Sequence, residues 1–215
     1  MSSLLHFFAA GGWVMYPLLA LSLLAVGVII ERLLSYRTIA NDSPGLLNEI
    51  LSDCEQGEFD QAITTCQKRP GPVAACLGTV LMHRDQPVED IERNVQEVGE
   101  EFFLKLERFL PILDTTTTIS PLLGLLGTLF GMIGTFQAIA ASKSQGSRDS
   151  ILSGVGEALY ATATGLTIAV ICFVAYNYFS SRQKAVTSET EQSATKLINA
   201  LRSKRVIDYQ MRERA

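Results

Sequence analysis

No lysine or arginine precedes Arg32, and no charged residue lies between positions 115 and 141. Both gaps are long for a soluble chain, which must keep charge spread over its surface. Other things are scarce too. The two histidines, His6 and His83, stand far apart, and the four cysteines (Cys54, Cys66, Cys76 and Cys172) fit neither a CxxC zinc pair nor a paired disulfide framework. No metal site and no cofactor are therefore expected. The net charge of -4 comes without a basic stripe, so nucleic acid is not an expected partner. No phosphate-cradling glycine loop and no nucleophile with a base is visible, so enzymatic turnover is not expected either.

What the chain does have is apolar length. Of its 215 residues 47% are hydrophobic, and the mean hydropathy is +0.22. The excess sits in three blocks, each long enough for a membrane-crossing helix. They predict an all-α membrane protein with three transmembrane helices, whose long helices extend into the cytoplasm. The expected divisions are a short interfacial segment at 1–12, a first span at 13–36, a helical cytoplasmic loop at 37–112, a second span at 113–141, a loop at 142–150, a third span at 151–180, and a helical cytoplasmic tail at 181–215. The first block lacks a preceding positive charge and a following small-residue cleavage site, so it reads as a retained span and not as a signal peptide. Leu4 to Ala10 reads as an amphipathic lead-in, with Trp13 and Tyr16 at headgroup level.

Orientation follows from the lysines and arginines. The loop between spans two and three has only Lys143 and Arg148, and the others lie in the long middle segment, at the end of span one or in the tail. The positive-inside rule then puts the N-terminus and the short loop outside, in the periplasm of a bacterium, and the middle segment and tail in the cytoplasm. The tail's basic end could also touch anionic membrane lipid. Within the middle segment, Leu46, Leu47, Ile50 and Leu51 form one helical stripe, and Phe59, Ala62 and Ile63 form another after Gly57. Pro70-Gly71-Pro72 breaks the chain. From Val88 a stripe through Ile91, Val95, Val98, Phe102, Leu106 and Phe109 predicts one long helix running into span two, bent at Pro111 or Pro121. Val186, Ala194, Leu197, Ile198 and Leu201 continue helical spacing after span three.

Two features inside the spans could carry chemistry. Glu157 lies in the third apolar block, where a carboxylate costs roughly 2.5–3.5 kcal/mol on insertion scales. Such an acid normally faces protein or a water-filled path. In span two, Thr117, Ser120, Gly124, Gly127, Thr128, Gly131, Gly134 and Thr135 fall within about 120° of arc on an ideal helix. Close helix packing is one use for such a small-residue face, and a hydroxyl-lined ion path is another. In span three Glu157, Ala161 and Thr164 share one face, while Glu157 and Thr162 lie about 140° apart and need not point the same way. Asp114 could mark a cytoplasmic mouth or simply cap a helix start.

SPLLGLLGTLFGMIGTF followed by VGEALYATATGLTIAVICFVAYN resembles the signature of the MotA/TolQ/ExbB ion-channel family, most closely its ExbB branch, and the likeness is most specific from Ser120 to Asn177. The resemblance implies a homo-oligomeric ring, typically a pentamer, in the bacterial inner membrane. The ring would enclose the single-span helices of an ExbD-like partner and use the proton gradient to energise outer-membrane transport through a TonB-like protein. A TolQ-like or other stator of envelope constriction or motility has the same plan, and a non-conducting scaffold is a reading from another class. Motif matching places Thr128, Glu157 and Thr162 on the ion pathway. Thr117, Ser120, Gly124, Gly127, Gly131, Gly134, Ala161 and Thr164 would form the stripe facing pore or partner.

Overall fold

A computed structural model describes residues 12–40, 45–141 and 147–213. The expected lead-in at Leu4 to Ala10 and most of the loop at 142–150 lie outside the described residues. Among those described, all regular structure is helical. In chain order the helices are α1 (Met15–Ala40), α2 (Leu46–Gln56), α3 (Phe59–Gln67), α4 (Pro72–Met82), α5 (Val88–Glu107), α6 (Leu110–Ala141) and α7 (Ser147–Glu213). Three helices are long and apolar enough to cross a membrane, as the three apolar blocks predict. The chain divides into two compact units. One comprises residues up to Glu31 with Phe109–Phe179, and the other Arg32–Arg108 with the residues from Ser180 onward.

The second unit is a helical bundle built on the predicted stripes. Leu46 and Ile50 of α2, Ala62 of α3, Ile91 of α5 and Leu197 of α7 all join its buried core. The core is organised by α4, a helix the periodicity does not announce because nearly every position in it is buried. A helix apolar all round has no polar stripe to betray its period. Pro72 starts it, at a position where the missing N–H costs nothing. Leu77, Val80 and Leu81 are each fully enclosed, and burying each contributes about 1.5–3 kcal/mol. Gly57 ends α2 with φ +84, in the left-handed region where a side chain is disfavoured.

The long helix expected from Val88 into span two, with a bend at Pro111 or Pro121, is interrupted by a two-residue turn just before Pro111, and Arg108 in that turn keeps helical backbone angles. α5 ends at Glu107, a turn follows at Arg108–Phe109, and α6 begins at Leu110. Pro111 explains the break. It has no N–H to give the carbonyl of Glu107, and its ring would crowd that carbonyl in a continuous helix. The other proline, Pro121, lies inside α6, which continues through it. Arg32 covers part of the exposed end of α5. Its Nη1 donates to the carbonyl oxygens of Lys105 (3.0 Å) and Leu106 (2.8 Å). Only 4% of Arg32 is exposed, so its charge is committed to a helix C-terminus, which favours a cation. Beyond span three the backbone stays helical without interruption, and α7 reaches Glu213.

Candidate functional site in the membrane unit

The first unit contains every polar residue singled out in the spans. Its centre is a seam between α6 and α7, closed by missing side chains. A Cβ on Gly124 would stand 3.0 Å from the carbonyl oxygen of Ala161 and 3.0 Å from Cα of Thr162. One on Gly127 would meet Cβ of Ala161 at 2.5 Å, and one on Gly131 the carbonyl oxygen of Gly154 at 2.9 Å. From the other helix, a Cβ on Gly165 would overlap the carbonyl oxygen of Ser120. Backbone therefore lies on backbone along this seam, which is how helices gain dispersion energy where lipid removes the hydrophobic drive.

The predicted stripe divides on this geometry. Ser120, Gly124, Gly127, Gly131 and Ala161 lie in the seam and pack within the chain. Gly134 is exposed, with no other group within 4 Å of an added Cβ. Thr117 is half-buried and donates to the carbonyl oxygen of Leu113 at 2.9 Å. Thr164 donates to that of Tyr160 at 2.8 Å. Such bonds to the preceding turn satisfy a hydroxyl without any outside partner. The hydroxyl of Ser120 departs from the pattern. It is fully buried and has no hydrogen-bond partner.

The three expected pathway residues have different neighbours within the chain. Thr162 is part of the seam, and its hydroxyl donates across it to the carbonyl oxygen of Gly124 (3.1 Å) and back to that of Ala158 (3.3 Å). Thr128 donates to the carbonyl oxygen of Leu125 at 2.7 Å, within its own helix. Its outward neighbours Leu125, Leu129 and Met132 are all exposed. Glu157 is half-buried and faces a third direction, toward the turn that precedes α1. Asp114 is exposed and lies inside α6, past its first turn, so it does not cap the helix start.

One participant was not legible from the sequence. Gly12 sits so close to Glu157 that a Cβ there would overlap the carboxyl oxygen Oε1. The only local signal was the Gly11-Gly12 pair ahead of Trp13, and nothing in it points to a residue so distant in sequence. Beside it, Val14, Met15 and Leu18 of the first unit form a small core with Leu123 and Ile168. The ring of Trp13 meets that of Phe130 edge-on at 5.2 Å.

The second unit offers no competing reactive centre at its acidic cavity. That cavity, about 320 Å³, includes Cys76 and carboxylates of Glu92, Glu100 and Glu191. Burial pushes the Cys76 thiol up to about 11, so at neutral pH it is a protonated, inert group.

Comparison with known proteins bears on this arrangement. Residues 70–192 match the model of the MotA/TolQ/ExbB proton channel family. The chain is 30% identical to the biopolymer transport protein ExbB-like 3 of Synechocystis over 184 residues, covering 84% of this chain and 88% of that protein. It is 29% identical to the biopolymer transport protein exbB1 of Vibrio cholerae over 168 residues, 74% of this chain and 71% of the relative. Over a shorter stretch of 100 residues, 46% of this chain and 43% of the relative, it is 41% identical to the Tol-Pal system protein TolQ of Pseudomonas aeruginosa.

Proposed function

The chain belongs to the MotA/TolQ/ExbB proton channel family, and on that footing we propose that it is an ExbB-like subunit of an ion-driven motor in a bacterial inner membrane. In this role several copies, five in the family's usual plan, form a ring around the single-span helices of an ExbD-like partner. Proton movement along the ring and partner shifts the partner, and a TonB-like protein carries the work to outer-membrane transport. One proton crossing 100 mV releases about 2.3 kcal/mol. Lysine and arginine placement supports a periplasmic N-terminus and a cytoplasmic tail.

The observation that carries this function is Glu157, a carboxyl group held half-buried in an apolar span. A scaffold that only held partner helices would gain nothing from so costly a group. Thr128, on the outward side of α6, is the hydroxyl best placed to meet a partner helix. Thr162 would contribute from the seam and Asp114 near the cytoplasmic end.

The test uses the full chain co-assembled with its single-span partner in proteoliposomes. Glu157→Ala should lower proton flux at least tenfold, while native mass spectrometry shows the same oligomer as the wild type. Glu157→Gln separates a need for ionisation from a need for hydrogen bonding. Wild-type flux in both variants would remove Glu157 from the ion path, and a monomer as the sole species would remove the ring. A TolQ-like role is the second candidate, favoured by the 41% identity to the Pseudomonas TolQ. Rescue of a strain lacking TolQ, and not of one lacking ExbB, would establish it.

A further inference from the structure

Gly12 and Glu157 are 145 positions apart in the chain and yet meet. At Gly12 φ is +71, and an added Cβ would overlap Oε1 of Glu157, stand 2.9 Å from its carboxyl carbon and 3.4 Å from its Cγ. The turn that holds Gly12 in place is well anchored. Its carbonyl oxygen accepts from the N–H of Met15 at 3.1 Å, and that of Trp13 accepts from Tyr16 at 3.2 Å, so the turn runs directly into α1. Val14 and Met15 are each only 2% exposed. Val14 borders the space left by Gly127, with Cβ of Val14 3.6 Å from where a Cβ of Gly127 would be. The Trp13 ring rests against Phe130.

Two separate conditions thus require glycine at position 12. A left-handed backbone is disfavoured for an L-residue. The space a side chain would need is also occupied by the carboxyl group itself. Gly45 (φ +86) and Gly57 (φ +84) meet the first condition only, because nothing lies within 4 Å of an added Cβ at either. They isolate the cost of the backbone conformation from the cost of the contact.

We propose that Gly12 is a positioning residue for Glu157. The missing side chain lets the turn before the first span close over the carboxyl group of the third span and fix its direction. The turn forms the start of a 26-residue helix, whose N-terminal end favours negative charge. The first span, which contributes none of the pathway residues expected from sequence, is thereby tied to the one acid in the path. The consequence for flux rests on the ion-path function of Glu157, whereas the contact does not.

Two measurements test the two parts. In membranes containing the full chain, Gly12→Cys/Glu157→Cys should form an intrachain disulfide on mild oxidation, identified by peptide mass mapping. A Cβ at position 12 lies 3.4 Å from Cγ of Glu157, so the two Cβ atoms are at most about 4.9 Å apart, close enough for a small backbone adjustment to reach the disulfide spacing of about 3.5–4.5 Å. Tyr16→Cys/Glu157→Cys, with position 16 exposed, should stay unbridged. Absence of the intrachain bridge at 12 and 157 overturns the proposal.

In proteoliposomes, Gly12→Ala should reduce proton flux at least tenfold with the oligomer unchanged, while Gly45→Ala and Gly57→Ala stay within twofold of wild type. Glu157→Asp withdraws the carboxyl by one methylene, so adding Gly12→Ala to it should cost less than twofold. Wild-type flux in Gly12→Ala, or an equal loss on both backgrounds, overturns the positioning role. If Glu157→Asp is itself silent, the bridge decides. A bridge that forms in a protein whose flux ignores Glu157→Ala leaves the contact standing and removes the ion-path function instead.

Discussion

Replacing Gly165 by alanine probes the seam at its tightest point. The added methyl group would overlap the carbonyl oxygen of Ser120 and lie 3.2 Å from both Cα of Gly124 and the carbonyl carbon of Ser120. All three neighbours are backbone, so no rotamer change relieves the contact and α6 must move away from α7. Overpacking of this kind costs about 1–3 kcal/mol. A gap of roughly 0.5–1 Å also forfeits a quarter to a half of each dispersion contact beyond it. The bond from Thr162 to Gly124, already 3.1 Å, stretches out of range. Interhelical hydrogen bonds in membranes average about 0.6 kcal/mol and reach about 1.7. Alanine returns some of this as the better helix former, by about 0.8–1.0 kcal/mol. The net expectation is a loss of roughly 1–4 kcal/mol, from the combination of these terms. Unfolding in mixed micelles of rising SDS content, followed by fluorescence of the single tryptophan, Trp13, gives the midpoint. Gly27→Ala and Gly134→Ala are the controls, since nothing lies within 4 Å of an added Cβ at either. They should match or slightly exceed wild-type stability. A Gly165→Ala midpoint at or above wild type would refute the backbone-to-backbone account of the seam.

Two further outcomes follow from groups with settled surroundings. Ser120→Ala removes a buried hydroxyl that has no partner, so stability should hold or rise by up to about 1–3 kcal/mol in the same SDS titration, and a fall would mean the hydroxyl is engaged. In the second unit, burial above all, then the neighbouring Cys54, pushes the Cys66 thiol from the ordinary 9.0 to about 11, and burial does the same to Cys76. The folded state then holds protons the unfolded state has released. The stabilisation is complete below pH 9 and is lost as pH rises from 9 through 11. Thermal melts should therefore fall across that window, less steeply in Cys66→Ala/Cys76→Ala, and both thiols should react slowly with maleimide at neutral pH.

How much was legible in the sequence depended on whether a property was local. Apolar length is local, and it announced three helices long and apolar enough to cross a membrane. The stripes of α2, α3 and α5 are periodic, and the residues they nominate join or pack against the core, except Phe102, Leu106 and Phe109 at the far end of the α5 stripe. α4 escaped because full burial erases periodicity. The bend expected at Pro111 takes the form of a two-residue turn at Arg108–Phe109, because the proline withholds a donor from the carbonyl four residues earlier. The small-residue face of α6 was visible on an ideal helix, yet a wheel cannot say which neighbour each position meets. Ser120 and Gly124 turned out to meet α7, whereas Gly134 is left open. The meeting of Gly12 with Glu157 is a tertiary contact between two residues whose local sequences say nothing of each other.

The seam geometry narrows where an ion could travel. Along α6 and α7 the closest approaches are of main chain to main chain or methyl, at Gly124, Gly127, Gly131 and Gly165. A water needs a polar space of at least about 10–15 Å³ of probe volume and two to four polar partners. Where not even a Cβ could be added without a clash, no such file of spaces runs between these two helices. Thr162, half-buried at the seam, donates its hydroxyl to the carbonyl oxygens that flank it, which leaves its oxygen as an acceptor for a group outside the seam. Ion movement on the proposed function must then use outward surfaces, where Thr128 stands among exposed apolar side chains. In a lone chain that surface faces lipid, where a hydroxyl can only bond to its own helix, as Thr128 does with Leu125. A hydrated path there requires other helices to wall it off. The packing that fills the inside of one chain is thus a physical reason for this protein to work as an assembly.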